Sequence, residues 1–238
     1  VLAQLPAQAG SANGIDWTVS VDSTNNRAHQ HATNTARPEK DTGVATRRSK
    51  GEPSATRGEP AGHAIGRSRG GLTTKIHHAV DGHGRPLAVV VTPGQVHDAQ
   101  ALPLLLGDIR VPRVGPGRPR TAPDALLADK AYSSHHVREE LAVRGIRTVI
   151  PERADQQANR KRKGRSGGRP RTLATETYKL RNVVERSFSL LKQWRGLATR
   201  YDKLAVVYRS AAVLARSPGR HGPAPCSGAL SRLYVTGR

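Results

Sequence analysis

Three acids stand where strand ends or a helix face could bring carboxylates together: Asp22, Asp129 and Glu185. Asp22 closes the alternating run Trp17-Thr18-Val19-Ser20-Val21, and Asp129 closes the apolar run Ala125-Leu126-Leu127-Ala128. If those two runs are neighbouring parallel strands, both side chains emerge at one edge of the sheet, where open α/β sheets place their sites. Phosphoryl transfer by two divalent ions needs such convergence, because hard cations take oxygen ligands and the pair sits roughly 4 Å apart. Taken singly, either aspartate reads better as a turn residue after a strand, and the ordering of elements shifts the balance toward a site.

The third acid carries more information. A helix is expected from about residue 176 to 195, and at about 100° per residue Tyr178, Arg181, Glu185 and Lys192 share an arc of roughly 60°. Leu180, Val183, Val184, Phe188, Leu190, Leu191 and Trp194 cluster on the opposite side. The bland reading is an i,i+4 surface ion pair between Arg181 and Glu185, worth a few tenths of a kcal/mol. The functional reading uses all four residues: the cations keep the carboxylate ionised and also suit a phosphate.

Around these residues the pattern predicts a strand over 17–22, then two β-like runs, Leu72–Val80 and Arg85–Thr92, joined by Asp81-Gly82-His83-Gly84. A short helix over Ala99–Leu106 follows, which Asp98 is placed to cap. Next come the strand ending at Asp129, a helix over Ser133–Arg144, a β-branched strand at Ile146–Ile150 and the long final helix, with weaker helical character to about 215. Strand, hairpin, helix, strand, helix, strand, helix is the succession of an RNase H-like α/β fold, a mixed sheet flanked by helices. The expected organisation is an N-terminal remnant (1–16), one catalytic domain (17–215) with basic loop insertions at 37–70 and 152–175, and a disordered tail (216–238).

Composition narrows the partners. Lys and Arg number 39 against 18 Asp and Glu, a formal charge of +21 in 238 residues. Such a charge suits a polyanion, since neutralising phosphates releases counterions. Nucleic acid comes first. A membrane is disfavoured, because no apolar run reaches the roughly 18 residues a span requires. The one cysteine, Cys226, excludes an internal disulfide and a cysteine zinc site, which points to the cytoplasm. His77-His78 and His135-His136 lack finger-like spacing and are assigned no metal. His97-Asp98 reads as a helix cap rather than a metal-hydrolase pair, and the Gly-rich stretch 66–75 lacks P-loop spacing but suits a basic loop facing DNA.

Read together, these blocks resemble a known family. Tyr178-x2-Arg181-x3-Glu185-x6-Lys192 is similar to the Y-R-E-K signature of bacterial insertion-sequence DDE transposases in both residue types and spacing. The likeness extends to Val21-Asp22-Ser23-Thr24, to Gly66-Arg67-Ser68-Arg69-Gly70-Gly71-Leu72-Thr73-Thr74-Lys75, to Thr92–Asp98, to Ala128-Asp129-Lys130-Ala131-Tyr132 and to Gln193-Trp194-Arg195-Gly196.

The resemblance implies an RNase H-like domain that binds two Mg²⁺, with Mn²⁺ able to substitute, through Asp22, Asp129 and Glu185. It implies that water nicks the ends of the element and that the freed 3′ hydroxyl then attacks target DNA. Arg181 and Lys192 would contact phosphate near the scissile bond, Tyr178 would help to position it, and Arg67, Arg69, Lys75 and Lys130 would contact DNA elsewhere. The partners implied are double-stranded DNA, as terminal inverted repeats and as target DNA, and a second copy of the chain, in a nucleoid-associated setting. The family usually has a helical segment ahead of the first strand and an apolar helix after Ser210-Ala211-Ala212. Here the tail turns to Ser217-Pro218-Gly219, as if translated out of frame. The alternative expectation is therefore a truncated, catalytically inactive remnant that binds DNA by charge, with a nuclease that cuts without joining as a third.

Overall fold

The computed structural model describes residues 14–33, 63–113 and 116–215. Most of the N-terminal remnant, most of the 37–70 insertion and the whole 216–238 tail with Cys226 lie outside the described residues.

Strand β1 (Thr18–Ala28) is the centre of the sheet. It runs six residues past Asp22 through the polar Ser23-Thr24-Asn25-Asn26, a stretch of poor strand propensity, because β3 (Gly71–Val80) pairs with it from Ser20↔Val80 to Arg27↔Thr73. The hairpin turn to β4 (Pro86–Pro93) is held by Asp81, whose Oδ1 accepts the N–H of His83 (3.0 Å) and of Arg85 (2.7 Å). Gly84 supplies the positive φ of 83° that the turn requires. A short helix, α1 (Gln30–Thr33), follows β1, and β2 (Gly66–Ser68) prolongs the β4 edge of β3.

On its other side β1 pairs in parallel with β5 (Ala125–Leu127), which pairs in parallel with β6 (Arg147–Val149). The two-residue β7 (Thr199–Arg200) joins β1 farther along, at Arg27 and Ala28. The principal order is thus β4-β3-β1-β5-β6, an antiparallel hairpin edge beside a parallel half. Helices cover both faces, and this is the RNase H-like mixed sheet that the order of predicted elements implies.

Side chains alternate across a strand, and the alternation divides the core cleanly. Val19, Val21, Ala79, Leu126 and Ala128 face α2 (Asp98–Asp108) and α3 (His135–Val143), packing with Leu102, Leu105, Leu106, Val137 and Leu141. Residues of the other parity, among them Ile76 and Val80, meet α6 (Asn182–Lys192), α7 (Arg195–Ala198) and α8 (Ala205–Ala215). No helix among the described residues is long and apolar enough to cross a membrane.

Two expectations need correction. Within the supposed loop 152–175 lies a helix, α4 (Ala154–Arg162), followed by a 3-10 turn at Gly164–Gly167. No residue of α4 is buried, so an apolar period could not announce it. It is tied down by polar contacts instead: Arg160 pairs with Glu152, and the Gln156 amide donates to Ser133 O at 3.1 Å. The final helix is also not continuous. It divides into α5 (Thr175–Lys179) and α6, with tight i→i−3 bonds across Leu180 and Arg181. The tightening rotates one segment against the other. Leu180 is consequently 55% exposed rather than packed, and Leu190 and Trp194 are also largely exposed, while Val183, Val184, Ser187, Phe188 and Leu191 form the buried stripe.

Candidate active site

The strand register sets the two aspartates. Ser20 of β1 stands opposite Leu127 of β5, so Asp22 and Asp129 each lie two residues beyond the same parallel pair. Even-numbered residues of β1 point to the face that α6 and α8 cover, as Asn26 does in donating to the Tyr208 hydroxyl of α8 at 2.8 Å. Asp22 shares that parity. Each aspartate has one oxygen tied to backbone: Asp22 Oδ1 accepts from Ser23 N–H at 2.8 Å, and Asp129 Oδ1 accepts from Ala131 N–H at 2.8 Å. Asp129 thereby caps the 3-10 turn Lys130–Tyr132 and β5 stops there.

Burial pushes the Asp22 carboxyl above the usual carboxylate range; the Ser23 N–H and Arg181 oppose the rise, and the charge of Asp129 adds to it. Mutual repulsion of this kind places the two acids within electrostatic reach of each other. Tyr132 closes the 3-10 turn that Asp129 caps. Its ring is buried, and its ionisation is pushed well up by burial and by the charges of Asp98, Asp22 and Asp129.

Helix α6 brings the third acid over the sheet. Val183, Val184 and Phe188 pack on Val80 of β3, and Leu191 joins Ile76 and Val89. Glu185 is in the first turn of α6, with 52% of its side chain exposed. Arg181 supplies the link: its guanidinium donates to Asp22 Oδ2 at 2.9 Å and also to Glu185 Oε1. The i,i+4 pair anticipated as a bland alternative is therefore present, but the same Arg181 also reaches across 159 positions of sequence to β1. Tyr178 packs with Leu173 against Ala125, Leu127 and Val149, and the Arg181 guanidinium lies 5.9 Å from its ring centre. Lys192, in the last turn of α6, is exposed, two turns and about 10 Å from Glu185.

Among the described residues no three His, Cys, Asp or Glu side chains are grouped so as to hold a metal ion. Asp22 and Asp129 lie at matching positions beyond one parallel pair, and Arg181 links Glu185 to Asp22. The chemistry of the donors still suits a hard divalent cation, since all three are carboxylates and two are half-buried beside each other with like charge. Arg181 supplies the positive charge between Asp22 and Glu185, so a shared ion with Glu185 among its ligands requires that guanidinium to give way.

The basic residues divide. Arg67, Arg69 and Lys130 are exposed, Lys130 directly after Asp129. Arg67 and Arg69 flank the β2–β3 turn, beyond Thr73, which pairs with Arg27 at the far end of β1. That is about five strand residues, or roughly 17 Å, from the Asp22 register. Lys75 is placed otherwise than a DNA-contacting cation: it is buried, and its ammonium donates to Val96 O and Asp98 Oδ1, both at 2.8 Å. Asp98 does not cap α2 either. His97 holds that position, its Nδ1 accepting from Ala99 N–H at 3.3 Å, while Asp98 turns inward to Lys75 and Ser23. A lysine at an inward position of a strand buried on both faces demands a buried counter-charge, and that was the available signal for this pair.

Residues 13–216 match the family described as transposase DDE domain. The chain is 31% identical over 135 residues to the transposase assigned to insertion sequence element IS402 of Burkholderia cepacia, covering 57% of this chain and 56% of that one. It is 28% identical over 137 residues to the transposase assigned to insertion sequence element IS6501 of Brucella ovis, covering 58% of this chain and 89% of that one. The chain thus spans little more than half the length of the Burkholderia relative. Among solved structures, the Mos1 strand transfer complex is 14% identical, with 90% of this chain and 59% of that chain covered at a TM-score of 0.31. The fold assignment rests on strand order, not on that likeness. Because the family match runs from ahead of β1 to the end of α8, the chain belongs to the transposase DDE domain family.

Proposed function

We propose that this chain is an insertion-sequence transposase that cuts DNA at the ends of its element and joins the freed 3′ hydroxyl to target DNA, using Asp22, Asp129 and Glu185. The observation that carries this reading is the matched position of Asp22 and Asp129, each two residues beyond one parallel β1–β5 pair, with Arg181 at the start of α6 linking Asp22 to Glu185. Two Mg²⁺, or Mn²⁺ in their place, would be held by the three carboxylates and would supply stabilisation of the attacking and leaving oxygens.

The chain's own groups then have separate tasks. Asp22 and Asp129 present preset oxygens at the sheet edge. Arg181 exchanges its carboxylate partners for a DNA phosphate, to which its planar fork is equally suited, and so releases Glu185 toward the reacting centre. Lys192 and Lys130 neutralise flanking phosphates, Tyr178 braces Arg181, and Arg67 and Arg69 bind DNA farther along. In the first step water attacks the phosphodiester and the 3′ oxygen leaves as a hydroxyl. In the second that hydroxyl attacks a target phosphodiester, whose own 3′ oxygen leaves, so one bond forms for each broken. Terminal inverted repeats and target duplex are the DNA partners, a homodimer is the active assembly, and the setting is the bacterial cytoplasm at the nucleoid.

The test is cleavage of terminal-repeat duplex with Mg²⁺ by the wild-type chain and by Glu185→Gln. Loss of nicking by at least about a thousandfold is expected; an unchanged rate rejects the assignment. The Arg181 bridge across the acids favours one second reading, a chain that binds DNA by charge without cutting it. That reading predicts salt-sensitive binding and no divalent-dependent nicking by the wild type.

A further inference from the structure

On the face of β1 and β3 away from α6, a second set of charged groups is buried, and the proposed chemistry leaves it unused. Ser23, Lys75 and His77 share the parity that faces α2. Lys75 Nζ donates to Asp98 Oδ1 at 2.8 Å, with the two side chains only 10% and 22% exposed. Ser23 Oγ donates to the same oxygen, also at 2.8 Å. The backbone N–H of that same Ser23 donates to Asp22 Oδ1. A continuous path of hydrogen bonds therefore runs from a buried ammonium, through a carboxylate and a hydroxyl-bearing residue, to the candidate metal ligand.

Such a pair is a poor source of stability, because desolvation of two charges offsets most of their attraction and apolar replacements often fold as well. Its place directly behind Asp22 suggests another use. A peptide N–H orients a carboxylate only as firmly as its own peptide is held, and the Ser23 side chain, anchored to Asp98, pins that peptide. Tyr132 ties the two sets together: it is 1% exposed, its hydroxyl has no hydrogen-bond partner among the described residues, and Asp98, Asp22 and Asp129 all act on it.

We propose that Lys75, Asp98 and Ser23 form a positioning relay that holds the Asp22 carboxylate in the orientation that receives a divalent ion beside Asp129. The relay rests on the metal-site reading above. Partners that orient a ligand from behind commonly govern metal affinity by about 10–100-fold.

The experiment titrates Mn²⁺ alone into the full chain, read by electron paramagnetic resonance, with urea denaturation of each variant alongside. Ser23→Ala should weaken Mn²⁺ binding about tenfold with an unchanged urea midpoint, and Ser23→Thr, which restores the hydroxyl, should bind as wild type does. Wild-type affinity in Ser23→Ala overturns the relay, and so does equal weakening in Ser23→Thr. An Asp129→Asn variant separates the two failures: if its Mn²⁺ affinity matches wild type, the metal-site reading itself is wrong and the relay falls with it.

Discussion

The two aspartates and the glutamate are held by different physics. Asp22 sits on β1 and Asp129 two residues past the end of its parallel neighbour β5, each with one oxygen fixed by a backbone N–H and both beside a core of buried aliphatic side chains. Glu185 rides on α6, half exposed, behind a tight turn at Leu180–Arg181, and meets Asp22 only through a guanidinium. Strand register is costly to change, because a slip of one residue turns every side chain to the other face. A helix resting on one apolar stripe can tilt at far smaller cost. The candidate site is thus preset on its strand side and adjustable on its helix side.

The largest test of that contrast removes the stripe. Leu191 is fully buried against Ile76 and Val89, and Leu191→Ala should cost about 3 kcal/mol in urea denaturation. Hydrogen exchange should then quicken across α6 while β1 and β5 keep their protection; equal loss in both regions would erase the distinction.

The strand side should instead respond to acid. His77 on β3 donates or accepts at Thr92 Oγ1 (2.8 Å) and is buried, which depresses its pKa from the ordinary 6.5 to about 4, with Asp98 and Lys75 acting in opposite directions. The unfolded chain binds this proton below about 6.5 and the folded one only below about 4, so stability falls as pH drops across that window and levels off beneath it. The contribution reaches about 3 kcal/mol at most. Denaturation midpoints at pH 7 and pH 4.5 should therefore lie closer together in His77→Gln than in wild type, and an identical gap would reject the account.

The smallest effect belongs to the link between the two sides. Arg181→Gln removes one half-buried and one mainly solvated ion pair and should cost about 1 kcal/mol, since exposure screens the second pair. Its signature is local: faster exchange at the start of α6, with a urea midpoint shifted far less than in Leu191→Ala. A loss as large as that of Leu191→Ala would mean that the guanidinium, not the apolar stripe, seats the helix.

Legibility followed the same division. The apolar runs that close on Asp22 and Asp129 could be read as strands, with a parallel pairing assumed, whereas the continuation of β1 to Ala28 through polar residues could not. Helix α4 escaped, since it buries nothing and periodicity is blind to a helix with no apolar face. The break at Leu180–Arg181 escaped as well; neither residue is a helix breaker, and the tightening serves contacts that lie far away in sequence, Tyr178 with Val149 and Arg181 with Asp22. Arg200 was indistinguishable among 39 basic residues, yet it is fully buried and donates to the carbonyls of His63, Ala64, Asp202 and Lys203 and to the Thr74 hydroxyl.

What the sequence determined alone was local and periodic: the strand and helix succession, the apolar stripe of α6, the acids at strand ends and the basic excess. Those properties follow from each residue's own chemistry and that of its near neighbours. Long-range packing placed Lys75 inside against Asp98 instead of facing solvent, anchored the Ser23 side chain to Asp98 and let Arg181 span β1 and α6. Each depends on which face of a strand meets which helix, and that is settled when the whole core packs, not by any segment in isolation.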